Sequence, residues 1–362
     1  MLCLAPAVSL TCTSCGDDDD PYIAPDDDDD DDNTSTAIQI TDSMAQSVWS
    51  QYLTSTFADT DETVPGSETA AYYDDYSENW LLDDDGEGIE ATRDVQIVFS
   101  GNTAQVTFVD DKAKTQRYVH ITTDGAHVTI HNDSVEAGEA AGRGRMNYIL
   151  SGTTTDGSVR IYSNKKFMLT LDGLSLSNPK GAAINVQKSF EKKRVFINLA
   201  EGTTNTLEDA ATYTDTIAGE DDKAALFSEG KMIFMGKGQL SVTGNCNHAI
   251  AADDRIHFHS GVSVRVLNAV KDGIHAKDEV VISGGQITTF AQKDALQCDS
   301  VAGGLIMRGG RLLAAGRRAV TSGQFTYSGG SFCLVGNSTD TPTDGNQFRL
   351  IDLEDYQIAV GE

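Results

Sequence analysis

The sequence predicts an all-β fold, a right-handed single-stranded parallel β-helix with an N-terminal cap, from three observations: a repeat, an alternation and a set of spaced glycines. The repeat runs through Ala225-Leu226, Ala249-Ile250, Gly273-Ile274, Ala295-Leu296 and Ala319-Val320, with the aliphatic positions 24, 24, 22 and 24 residues apart. A fixed short period is the mark of stacked units. Within a unit, apolar residues alternate, as in Ile256-His257-Phe258 and Val262-Ser263-Val264-Arg265-Val266, which is the period of a strand. Near the middle of each unit stands a glycine bend, at Gly236, Gly261, Gly284-Gly285, Gly309-Gly310 and Gly329-Gly330. Units this short hold no helix pair, and a solenoid of strands satisfies all three observations.

Taken in chain order, residues 1–15 are small and apolar and end at Cys15, which Gly16 and Asp17–Asp20 follow at once. This pattern resembles the signal peptide of an exported surface lipoprotein, with Cys15 as the lipidated residue. The expected location is the outer membrane's extracellular face or the periplasm, held by lipid, since no later segment approaches the ~20 apolar residues of a membrane helix. Met1-Leu2-Cys3 lacks the usual basic residues, so the signal peptide reads as truncated. Residues 16–40 form an acidic tether too polar to fold. Residues 41–94, with Trp49 and Trp80, are expected to cap the solenoid and shield its end strand. The β-helix should then occupy residues 95–336, and residues 337–362 should form a C-terminal cap or tail. An insertion at 200–223 widens one rung to 42 residues, from Ile184 to Leu226. Such extra length goes into loops that shape binding surfaces.

Net charge is −28 over 362 residues, and the aspartate runs Asp17–Asp20 and Asp26–Asp32 supply eleven of those negative charges. The remainder is still acidic, which excludes nucleic acid as the default partner. Beyond the leader, Cys246, Cys298 and Cys333 are too few and too far apart for a disulfide framework or a zinc site, and read as buried thiols.

In a β-helix, matching residues of successive rungs stack about 4.8 Å apart, so the repeat can be read in columns. Leu226, Ile250, Ile274, Leu296 and Val320 form an internal ladder, and Ser228, Ala252, Ala276, Cys298 and Ser322 point inward two residues on. Small residues at Ala225, Ala249, Gly273, Ala295 and Ala319 indicate a tight corner. Just before it, Lys223, Asn247, Lys271, Lys293 and Arg317 make a column basic in four of five rungs. Stacked cations repel unless solvated, paired with neighbouring acids, or given an anion to share, and an acidic polysaccharide lying along the solenoid would be such an anion. Arg318 and His275 stand beside this column and join its candidate contacts.

The next column holds Ala224, His248, Asp272, Asp294 and Arg318. Asp272 and Asp294 would be like charges one rung apart, and Ca2+ between them would relieve the repulsion, with Asp254, Asp278 and Asp299 as further oxygen ligands. The alternative is that each aspartate accepts backbone N–H bonds at its own turn, with nearby lysines neutralising it. His257 and His259 share an outer face, where a zinc site would need more ligands than are in reach, and an exposed polar pair is commoner. Phe227 and Tyr213 are the candidates for stacking on sugar rings.

Several segments carry a resemblance: Gly173-Leu174-Ser175-Leu176, Gly181-Ala182-Ala183-Ile184, Leu199 to Leu207 with its Gly202-Thr203-Thr204-Asn205-Thr206-Leu207 core, Ala224 to Ser228, Lys271 to Asp278 and Ile282-Ser283-Gly284-Gly285. They resemble the carbohydrate-binding β-helix family typified by a clostridial pectin- and cellulose-binding protein. The resemblance implies binding of acidic plant polysaccharide such as polygalacturonate, bound calcium, and kinship in fold with pectate lyases. Lys271-Asp272-Gly273-Ile274-His275 departs from the lyase pattern, which would crowd several acids around this turn. Three functions follow as expectations. The first is a noncatalytic surface module that captures acidic polysaccharide, working beside other surface glycan-utilisation proteins. The second is a calcium-dependent polyuronate lyase with Lys271 or Lys293 as base. The third is a spacer or adhesin.

Overall fold

The computed structural model describes residue 80 and residues 91–109, 119–132, 144–163, 166–188, 194–336, 348–353 and 356–361. The expected leader, the acidic tether and most of the 41–94 cap lie outside these residues.

From residue 194 onward each rung is laid down as three strands. In one rung these are Ala224–Ser228, Lys231–Gly236 and Gln239–Gly244, and the next begins at His248–Ala252. Among the described residues the strands stack into two sheets, of nine and eighteen strands, and the larger carries two parallel stacks per rung. The molecule is thus a parallel β-helix.

The expected columns are the observed register. Val159 faces Ile184, which faces Leu226, and the ladder continues through Ile250, Ile274, Leu296 and Val320. From Val159 to Leu296 these side chains are at most 1 % exposed. Each fully buried aliphatic side chain contributes roughly 1.5–3 kcal/mol, so the column is a main source of stability. Ala225, Ala249, Ala295 and Ala319 are fully buried at the corner beside it. Gly273 takes its place in that column for a steric reason: a Cβ there would lie 1.9 Å from Thr289 Oγ1 and 2.7 Å from the Ala295 carbonyl oxygen.

The bends midway through the rungs carry left-handed backbone, as at Gly236 (φ 94°) and Gly285 (φ 78°), which favours glycine. Within the Gly202 to Leu207 segment, Asn205 is fully buried. Its Oδ1 accepts from the Leu174 amide at 2.9 Å and its Nδ2 donates to the Gln239 carbonyl at 3.0 Å, so one amide side chain ties three rungs.

Both ends of the stack carry antiparallel strands. Ala91–Ser100 pairs with Thr103–Phe108 across a turn at Gly101, and His120–Asp124 pairs with Ala126–Asn132. At the other end Tyr356–Gly361 runs antiparallel to both Ser331–Gly336 and Phe348–Leu353.

The 200–223 insertion lies against the outer face of the nine-stranded sheet. Arg160 bonds Glu220 at 2.5 Å, Tyr162 Oη donates to Glu220 at 2.5 Å, and Asn185 and Gln187 both donate to the Asp221 carbonyl. At its other end Asp209 accepts from Tyr213 Oη at 2.6 Å and from the Asn245 amide at 2.5 Å.

Four expectations about individual side chains change. His257 and His259 do point outward, but they are 0 % and 2 % exposed, with stacked rings 4.2 Å apart and His257 Nε2 2.8 Å from Ser283 Oγ. Their outward column, with Met168, Phe196 and Ile233, is buried rather than solvated, and Trp80 packs edge-on against Phe196. Phe227 is also outward yet fully buried, between Ala224 and Ala251, with Lys223 Nζ 5.8 Å from its ring centre. Tyr213 is buried with Ala182, Ala210 and Cys246, so neither aromatic offers a face to a sugar. Cys298 and Cys333 are the buried free thiols expected, whereas Cys246 is disulfide-bonded.

Candidate functional site

The basic column exists as a backbone ladder. The Lys271 amide donates to the Asn247 carbonyl, the Lys293 amide to the Lys271 carbonyl and the Arg318 amide to the Lys293 carbonyl, at 3.0–3.2 Å. Lys271 and Arg317 are exposed and Lys293 is half-buried. Lys223, at the upstream end, is engaged by Asp253 at 3.0 Å and Asp221 at 3.3 Å.

One residue inward, Asp272 and Asp294 do stand on adjacent rungs, and the Asp294 amide donates to Asp272 Oδ1 at 3.2 Å. Their charges are compensated differently from the expectation. Arg318 grips Asp294 with both Nε (2.7 Å) and a terminal nitrogen (2.8 Å), a fork that suits a carboxylate. Burial still holds the Asp294 carboxyl above the usual range, with Arg318 opposing it.

Asp272 is 1 % exposed, and its Oδ2 lies 3.1 Å from His248 Nδ1 and 3.0 Å from His275 Nδ1. The same His248 nitrogen is 3.3 Å from the Asp272 amide nitrogen, so the ring accepts from the amide in one tautomer and donates to the carboxylate in the other. The far side of His275 is also held: its Nε2 is 3.0 Å from Asp299 Oδ2, and Gln297 fixes the other Asp299 oxygen at 2.8 Å.

The protonation states follow from burial and neighbours. Burial opposes charge on His275, but Asp272 and Asp299 outweigh it and raise the imidazole to about 10. Burial, reinforced by His275, pushes His248 down to about 4, so this ring is neutral at neutral pH. Burial would raise the Asp272 carboxyl, yet the His248 and His275 imidazoles together hold it well below the ordinary carboxylate range. Asp272 and His275 are therefore the charged pair, and His248 completes it with a hydrogen bond.

His248, Asp272 and His275 each offer one ligand atom, all within 4.8 Å of one another, and the group can hold a metal ion. The donors do not suit calcium, which takes six to eight oxygens, because two of the three are imidazole nitrogens and the Asp294 carboxylate belongs to Arg318. Of the other expected calcium ligands, Asp299 is tied to His275, while Asp254 is buried and accepts from the Arg255 amide at 2.9 Å. Asp278 stands apart, its amide donating to the Asp254 carbonyl at 3.3 Å.

Column reading could not have found this cluster. His248 and Asp272 share a column, but His275 sits three residues after Asp272 and reaches back to it across the corner, where His248 also arrives from the rung before.

The family model described as "Carbohydrate-binding domain-containing protein" matches residues 124–349. Among solved structures the fold is similar to a polysaccharide lyase-like protein from C. thermocellum, solved as a gadolinium derivative, at 22 % identity and a TM-score of 0.56. That likeness covers 70 % of this chain and 95 % of the other. No curated protein matches the chain.

Proposed function

The chain belongs to the carbohydrate-binding domain-containing family, and we propose that it captures an acidic polysaccharide of the pectin or polygalacturonate type without cleaving it. The observation that carries this reading is the backbone ladder that sets Lys271, Lys293 and Arg317 on three successive rungs. Cations at that spacing are poorly placed toward each other and well placed toward a polymer bearing a carboxylate on every sugar. Lys223 is left out, since Asp221 and Asp253 already neutralise it. In this reading Cys15 carries a lipid, the acidic tether holds the β-helix off the outer membrane, and the captured glycan is passed to other surface proteins that process it. Calcium has no part in this reading, because Asp294 and Asp272, the pair expected to share it, are engaged by Arg318 and by the two imidazoles.

Native gels containing polygalacturonate test the reading, with a neutral glucan as control. The protein should be retarded by the polyuronate alone, and retardation should weaken with salt as surface ion pairs are screened. The triple variant Lys271→Gln, Lys293→Gln, Arg317→Gln should lose about 3-fold to 150-fold in affinity, at roughly 0.2–1 kcal/mol per exposed pair. Retardation unchanged in the triple variant would end the proposal. Release of an unsaturated product absorbing in the ultraviolet would move the assignment to a lyase.

A further inference from the structure

The geometry points to a site for a divalent transition metal of imidazole preference, with zinc as its probe, on His248 Nδ1, His275 Nδ1 and Asp272 Oδ2. The inference stands apart from the polysaccharide reading and uses none of Lys271, Lys293 and Arg317. Zinc binds nitrogen at about 2.0–2.1 Å and carboxylate oxygen at about 2.0–2.2 Å, so tetrahedral ligand atoms lie about 3.3 Å from one another. The two nitrogens lie 3.1 and 3.0 Å from Asp272 Oδ2, close to that spacing, and the three ligand atoms all lie within 4.8 Å of one another, so side-chain adjustment brings them around one ion.

The supporting residues are those such a centre requires. A metal-bound histidine donates its second ring N–H to a carboxylate, which fixes the tautomer and aims the other nitrogen. His275 makes this contact from Nε2 to Asp299, and Gln297 anchors Asp299 in turn. The carboxylate ligand is oriented in the same way, because Asp272 Oδ1 accepts from the Asp294 amide while Arg318 clamps the Asp294 side chain. Charge agrees with the assignment. With Asp294 neutralised by Arg318 and the His275 Nδ1 proton released to solvent as the ion enters, Asp272 and Asp299 leave two negative charges for one divalent ion and two neutral rings. Three protein ligands leave a fourth position, and the His248 and His275 side chains, 9 % and 14 % exposed, give it a path to solvent. An N2O donor set selects zinc, cobalt, nickel or copper over calcium and magnesium.

The test uses the full chain, without a histidine tag and stripped by chelator. Zn2+ is titrated in competition with a chromophoric chelator, and Co2+ is followed by its visible spectrum. One equivalent should bind, cobalt should show the intense bands of a four-coordinate site, and millimolar Ca2+ should not displace either ion. Asp272→Asn and His275→Gln should each abolish stoichiometric binding, and Asp299→Asn should weaken it about 10–100-fold through loss of the supporting carboxylate. His131→Gln, distant in the fold, should leave it unchanged. Absence of a stoichiometric zinc site in the folded wild type, or binding that survives His275→Gln, would overturn the inference. If Asp272→Asn fails to fold, the wild-type cobalt spectrum decides: a weak six-coordinate spectrum counts against the site.

Discussion

Replacing Arg318 with methionine keeps the aliphatic stem of the side chain and removes the guanidinium that holds Asp294. The Asp294 side chain is fully buried and grips Arg318 at 2.7 and 2.8 Å, with Asp272 one rung away. Breaking a buried pair by removing one partner costs about 3–5 kcal/mol, because a buried charge is left uncompensated. The loss should depend on pH with a definite sign. Burial already holds the Asp294 carboxyl above its unfolded value, and without Arg318 it rises further. The folded variant then binds a proton more tightly than the unfolded chain, so stability falls as pH rises from about 4 through the raised value. Denaturant midpoints of wild type and Arg318→Met at pH 4.5 and 7.5 should therefore differ more at the higher pH. The double variant Asp294→Asn, Arg318→Met should recover most of the loss, since position 294 no longer carries a buried charge without a partner. An equal deficit at both pH values, or no recovery in the double variant, would refute this account of the pair.

Gly273→Ala should destabilise by about 2–5 kcal/mol, since the new methyl meets Thr289 Oγ1 at 1.9 Å and displaces its buried bond to the Ala295 carbonyl. Adding Thr289→Ala should restore part of that loss in the same denaturant titration. Asp209, raised to about 7 by burial against its hydrogen bonds, binds its proton more tightly when folded, so wild-type stability should fall between about pH 4 and 7. The fall should be at most about 4 kcal/mol and absent in Asp209→Asn, as read from midpoints across pH. Glu220→Gln weakens the bonds to Arg160 and Tyr162, and limited proteolysis should then cut near Ile217, which is 44 % exposed, several-fold faster.

The period, the aliphatic ladder and the small corner residues could all be read from the sequence, because in a parallel stack the chain's own repeat is the contact map. The alternation also gave the right direction for His257, His259 and Phe227, but not their surroundings. A two-residue period says which way a side chain points and nothing about what covers that side, so outward was mistaken for exposed. The candidate site was half legible for a related reason. Asp272 and Asp294 were expected as neighbours and are neighbours, and His248 and Arg318 compensate them from the same column, but His275 reaches Asp272 from outside it. The insertion was expected on one side of the solenoid, and the residues it lies on, Arg160 and Asn185, gave no sequence signal because their partners are some 36–60 positions away.

The placement of that insertion makes the basic edge a one-ended track. Upstream, the insertion's Asp221 together with Asp253 neutralises Lys223, so a polyanion bound as proposed would gain little beyond Lys271 on that side. From the rung of Lys271 to that of Arg317 there are two steps of about 4.8 Å, giving a cationic run of about 10 Å. A polymer captured as proposed would meet its cations only over those three rungs. Short oligomers of a few sugars would then saturate the protein as fully as long chains do.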